Sequence, residues 1–171
     1  PVEYSVVTGA EGGAYHVTGP LRLGANVDAE WDGTHGSTAS ADDDVGTVDD
    51  EDGVVRQPSL LGGGMHGGWT NGAAATFNGG SLDITISGGS GVPQVWADFG
   101  PGLTEVTLRN MFGTPLVMPL SEGTHTVYFD IPFGTFDGSA NRSIPVRVRL
   151  SSAGGLAVGG YAPDGEVEDY V

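Results

Sequence analysis

Hydrophobic residues along this chain recur mostly at every second position, in runs of five to nine residues. SLDITIS (81–87) sets Leu82, Ile84 and Ile86 on one face. QVWADF (94–99) sets Val95, Ala97 and Phe99 against Trp96 and Asp98, and EVTLRNM (105–111) points Val106, Leu108 and Asn110 one way. THTVYFDI (124–131), SIPVRVRLS (143–151) and EVEDYV (166–171) follow, while VEYSVV (2–7) and the stretch from Tyr15 to Leu23 read as extended. Alternation of this kind marks strands with one buried face. GGSG (88–91), SEG (121–123) and FDGS (136–139) supply turn chemistry between them. No segment sustains a helical period. The pattern predicts one all-β domain over residues 1–171, an antiparallel, jelly-roll-like β-sandwich.

Two stretches break the pattern. Gly62 to Gly72 is dense in glycine. Gly24 to Gly53 carries almost no regular signal, and a loop of about thirty residues in a compact domain is expected to be functional or ordered by an ion. Its second half reads DDDVGTVDDEDG (42–53). Seven of the chain's 22 acidic residues fall there: Asp42, Asp43, Asp44, Asp49, Asp50, Glu51 and Asp52. Carboxylates this close repel one another unless a cation or water screens them. Calcium suits such a set, since it takes about 6–8 oxygen ligands in flexible geometry. A solvated, disordered acidic run is the alternative. Gly46 and Gly53 favour an ordered loop, because glycine permits tight turns around an ion. The spacing is not that of an EF-hand: counted from Asp42, position 5 is Gly46 and position 12 is Gly53.

Composition narrows the partners. The net charge is −16, and all six cations are arginine. A chain without a basic patch is not built for nucleic acid or for an anionic membrane surface. A high-salt habitat would also favour an acidic, lysine-free surface. There is no cysteine, hence no disulfide and no thiol metal site. No apolar run reaches the length of a membrane helix. No signal-peptide pattern opens the chain, and Pro1 would suit a cleaved start.

Enzyme signatures are weak. His16, His35, His66 and His125 lack metalloprotease spacing, and no GxSxG elbow occurs. A glycosidase needs two carboxylates at a suitable separation, a test that 22 acidic residues cannot discriminate. Trp31, Trp69 and Trp96 are candidates for stacking on a sugar, with Trp69 and Trp96 the possible glycan contacts, although strand tryptophans commonly belong to a core. Arg147 and Arg149 share one strand face, as do Glu166 and Glu168. Were their strands neighbours, Arg–Glu pairs would form a structural ladder between them.

Several of these blocks together resemble the GEVED domain of bacterial secreted and cell-surface proteins. YAPDGEVEDYV (161–171) carries its closing signature, LGANVDAEWDG (23–33) its LG-and-VDAE run, DDEDGV (49–54) its acidic block, QVWADF (94–99) its Trp-Asp-Phe strand, and IPVRVRLS (144–151) its arginine strand. They occur in family order from Leu23 onward. The N-terminal region, residues 1–22, departs from the family, as does FGPGL after Asp98. The resemblance implies an extracellular, calcium-associated β-sandwich without enzymatic activity. By position it implies ion ligands among Asp28, Glu30, Asp42, Asp43, Asp44, Asp49, Asp50, Glu51 and Asp52, with Asp164 or Asp169. The expected function is a structural or adhesive module that self-assembles into a surface filament or layer, with residues 1–7 adding as a strand to a neighbouring copy. A carbohydrate-binding module is the alternative, and a carboxylate-pair hydrolase a third reading.

Overall fold

A computed structural model of the chain describes residues 14–27, 52–59, 68–137 and 142–170. The described elements are almost entirely strand: β1 (Ala14–His16), β2 (Arg22–Leu23), β3 (Val54–Gln57), β4 (Gly80–Ser87), β5 (Val92–Asp98), β6 (Leu103–Val106), β7 (Gly123–Phe129), β8 (Val146–Ser151), β9 (Gly160–Ala162) and β10 (Glu166–Tyr170). One 3-10 turn spans Ala74–Thr76, and no α-helix occurs among the described residues. The expected N-terminal strand at 2–7 lies outside them.

Two antiparallel sheets form an all-β sandwich. The first runs β10–β8–β5–β6. The second is centred on β4, with β7 along one side and both β2 and β3 along the other. The alternation read from the sequence sets the inward faces. Val95, Ala97, Val146, Val148 and Leu150 from the first sheet meet Leu23, Val54, Leu82, Ile84, Ile86, Val127 and Phe129 from the second, and all are buried. Period-2 side chains on two facing sheets can fill one shared layer without polar atoms in it. Trp69 closes one end of that layer. Its ring meets Phe129 edge-on at 5.1 Å, and its Nε1–H donates to Gln57 O (2.8 Å) and Ser81 O (3.1 Å).

The structure departs from the sequence pattern in three places. First, EVTLRNM (105–111) is not one strand: β6 ends at Val106, and Arg109 pairs instead with Tyr128 of β7, exchanging N–H···O bonds of 2.8 and 2.9 Å. The chain changes sheets there, which ties the two layers together at that edge. Secondly, the extended run from Tyr15 to Leu23 divides into β1 and β2, with Pro20, which has no N–H to give a ladder, between them. Thirdly, β1 pairs with β9 in parallel, Ala14 opposite Gly160 and His16 opposite Ala162.

Ile84 lies wholly in the shared layer, whereas Thr126 bonds Asp83 on the solvent face of the second sheet. Ile84→Ala is therefore expected to lose about 2–5 kcal/mol in urea unfolding. Thr126→Ala is expected to stay within about 1 kcal/mol.

Candidate functional site

The chain leaves the second sheet at Gly24 and re-enters it at Gly53, beside a single strand position. β2 and β3 lie end to end beside β4, with Leu23 opposite Ile86 and Val54 opposite Ile84. Between them Thr85 serves both segments: Gly24 N donates to Thr85 O (2.9 Å), and Thr85 N donates to Gly53 O (2.8 Å). Together the two segments make one edge strand, interrupted between Gly24 and Gly53. In an antiparallel ladder, residues that do not exchange bonds with the partner strand turn their N–H groups the other way. Leu23 and Val54, on either side of the Thr85 junction, therefore direct theirs off the sheet edge. Buried and unpaired, each would cost about 1–3 kcal/mol.

The C-terminal strand supplies the acceptors. Its register sets Glu166 opposite Leu150, Glu168 opposite Val148 and Tyr170 opposite Val146, all on the inward face of the first sheet. From there Glu166 Oε2 accepts Leu23 N–H at 2.7 Å, and Glu168 Oε1 accepts Gly53 N–H at 3.1 Å. Val54 N–H donates to Tyr170 Oη (3.2 Å), whose hydroxyl donates to Glu168 Oε2 (2.5 Å). Glu166 is 7% exposed and Glu168 2%. A carboxylate at that depth persists only when its oxygens receive good donors, and backbone N–H groups are among the strongest. β10 thus belongs to the first sheet through its backbone and to the second through its side chains.

The two stems of the loop press together within this clamp. Asp52 Oδ1 accepts Ala25 N–H (2.9 Å), and its Oδ2 accepts from Asn26 Nδ2 (3.0 Å). Gly24 has a φ of +63°, and a Cβ there would fall 1.6 Å from Asp52 Oδ1. At Gly53 a Cβ would fall 2.4 Å from the Leu23 Cβ. Only glycine fits either position.

The opposite face of β8 and β10 corrects the expected ion-pair ladder. The strands are neighbours, but Arg147 stands opposite Asp169 and Arg149 opposite Val167, while Glu166 and Glu168 face the other way. The side-chain period of two puts the glutamates in line with Val148 and Leu150. Arg147 instead grips Asp169 with a two-pronged pair, Nε to Oδ1 at 2.8 Å and Nη2 to Oδ2 at 2.6 Å. Its Nη1 donates to Val158 O (3.0 Å). Arg149 is fully buried and donates to backbone carbonyls: Nη1 to Ala157 O (2.6 Å) and Gly159 O (2.9 Å), and Nη2 to Gly160 O (2.8 Å). Its Nε donates to His16 Nε2 (3.0 Å). Burial, and then the Arg147 charge, push the Arg149 guanidinium down to about 10 against the pull of Asp169, so it stays charged at neutral pH. The arginines thus hold the segment around Val158 against the sheet.

The remaining expected site residues separate into three sets. Asp164 caps a turn, with Oδ1 accepting Ser152 N–H (2.9 Å) and Oδ2 bonded to the Ser152 hydroxyl. Asp169 is committed to Arg147. Both therefore leave the expected ligand set, and Asp52 is its one member described at the base of the loop. Asp28, Glu30, Asp42, Asp43, Asp44, Asp49, Asp50 and Glu51 lie outside the described residues. Among the described residues no three His, Asp or Glu side chains cluster as metal ligands would, so these residues alone do not make a calcium coordination sphere. Trp69 and Trp96 are each 4% exposed. Trp69 is spent on Phe129 and two carbonyls, and Trp96 sits beside Arg147 in the ladder. Neither offers a face to a sugar, which corrects their assignment as glycan contacts; Trp31 lies outside the described residues.

Sequence reasoning missed the role of Tyr170 and that of His16. The alternation in Glu-Val-Glu-Asp-Tyr carried the first, since it places Glu166, Glu168 and Tyr170 on one face. No signal of that kind marked His16. No family model, curated protein or solved structure matches this chain.

Removing the Glu168 carboxylate strands the Gly53 N–H and the Tyr170 hydroxyl together. Glu168→Ala is expected to lose about 2–4 kcal/mol of unfolding free energy. Tyr170→Phe, which keeps the ring, is expected to lose about 1 kcal/mol. Urea denaturation followed by tryptophan fluorescence measures both.

Proposed function

We propose that this chain is a non-enzymatic structural module of an extracellular or cell-surface assembly, in which Ca2+ bound by the acidic loop stabilises the domain. The observation that carries this reading is the clamp. Glu166, Glu168 and Tyr170 are committed to fastening Leu23, Gly53 and Val54, the two roots from which the acidic segment springs. The segment between these roots carries the acidic run, and a cation that binds its carboxylates in the folded chain stabilises that chain by mass action. Asp28, Glu30, Asp42–Asp44 and Asp49–Asp52 are the ligand candidates, and the similarity to GEVED domains supports the same assignment. With Trp69 and Trp96 buried, the carbohydrate-binding alternative loses both of its named contacts.

The partner in this reading is a second copy of the chain, met by strand addition through residues 1–7. Three large apolar side chains also stand at the surface: Phe133 is 88% exposed, Val117 87% and Phe112 70%.

The cation is tested by thermal unfolding in EDTA and in excess Ca2+. At a concentration about 100 times Kd the gain is about 2.7 kcal/mol, which for a domain of this size raises Tm by roughly 5–10 °C. Identical melts would remove the cation from the reading. The assembly is tested by light scattering on a sizing column. Species larger than a monomer are expected, and they should revert to monomers when residues 1–7 are deleted; a monomer at all concentrations overturns self-assembly.

A further inference from the structure

We propose that His16 is an acid-sensitive latch, which fastens β1 to the outer face of the first sheet when neutral and releases it when protonated. Its two ring nitrogens have fixed and opposite tasks. Nδ1 lies 2.7 Å from the Asp164 carbonyl oxygen, which can only accept. Nε2 lies 3.0 Å from Arg149 Nε, which can only donate. The proton therefore sits on Nδ1, and Nε2 is the acceptor. A second proton would remove that acceptor and set an imidazolium against a buried guanidinium.

Among the described residues, the carboxylates of this region are engaged by other partners. The charged and titratable groups around His16 among the described residues are Arg147 and Arg149 on β8, Asp164 before β10, Asp169 on β10, and Tyr161 on β9. Asp164 turns its oxygens to Ser152, and Asp169 turns its own to Arg147. Burial is the largest effect on the imidazole and brings it down from 6.5 to about 4, with the Arg149 charge acting in the same direction; the Asp164 carbonyl bond and the Asp164 charge oppose it.

The latch matters because β1 is short. Among the described residues it is three residues long, pairs with β9, packs against β10 and adds one bond from Val17 N to Ala162 O at 3.2 Å. Arg149 binds both sides of the contact at once: His16 on β1, and Ala157, Gly159 and Gly160 leading into β9. Losing its bond to His16 therefore loosens β1 from the sheet and leaves β9 held by the arginine.

The direction with pH comes from proton counts. A released His16 titrates near 6.5 and a latched one near 4, so the released state binds more protons between those values. Latching is complete above pH 6.5 and weakens as pH falls toward 4. A difference of that size changes the latched-to-released ratio by about 300-fold.

Hydrogen exchange at pH 7 and pH 4, corrected for the intrinsic rate, tests this on the whole chain, alongside NMR titration of the histidine rings. Amides of β1 are expected to lose protection by about two orders of magnitude at pH 4, while those of β4 and β7 keep theirs. The His16 ring should titrate near 4, as an Nδ1–H tautomer above it. His16→Asn, which can donate and accept but cannot titrate, should abolish the pH dependence. Unchanged β1 protection at pH 4 overturns the proposal, as does an equal loss in His16→Asn, which would assign the effect to a carboxylate. If that variant does not fold, the wild-type protein decides: a His16 midpoint near 6.5, or a midpoint that does not coincide with the loss of β1 protection, overturns it.

Discussion

Two buried carboxylates accepting backbone N–H groups from an interrupted edge strand are the contact on which the rest of this sandwich depends. A two-layer fold has two sides to close. On one, the chain itself crosses between sheets, from Val106 in β6 to Arg109 beside β7. On the other, no backbone crossing is described. Glu166 and Glu168 bridge the gap by reaching from one sheet to the N–H groups of the other. Their burial would be costly without those donors, and the donors would be costly without them. Each side of the contact is thus the reason the other is tolerated.

The same pair of strands carries a second polar layer on its outer face, built on the opposite logic. There the cations are buried and their partners are largely neutral. Arg149 spends its guanidinium on three carbonyls and a histidine, while Arg147 combines one carbonyl with a paired carboxylate, Asp169, which is partly exposed. Arginine suits this because its charge is weakly hydrated and its donors are fixed in a plane. The outcome is a strand, β8, with every residue buried although every second one is polar.

Much of this fold was legible in the sequence. Leu82, Ile84 and Ile86 lie inward as their alternation required, and the two-residue spacing of Val146, Val148 and Leu150 placed the inner face of β8. That β8 and β10 are neighbours was only a supposition from the sequence, and their relative register was not legible at all. Within one strand, alternation shows which residues share a face; it does not show which face meets which on the neighbour. For that reason alternation alone matches Arg147 to glutamates, when its partner is Asp169. The bonds from side chain to backbone were invisible for a different reason. Leu23, Gly53 and Val54 contribute only their N–H groups, which every non-proline residue possesses and no pattern marks. His16 was equally silent, because its role comes from a carbonyl and a guanidinium that lie 148 and 133 residues away along the chain.

The Gly24–Gly53 junction has a consequence for how such a domain can change over generations. Both ends of the excursion are fixed to one residue, Thr85, so the gap to be spanned is set by the sheet and not by what is inserted. Closing a loop of twice the length between the same two points costs only about 0.6 kcal/mol more. The hydrophobic layer and the register of β2 and β3 rest on residues outside the intervening sequence. The two glycines therefore act as a port, at which a lineage can exchange one surface attachment for another while the scaffold beneath is inherited unchanged.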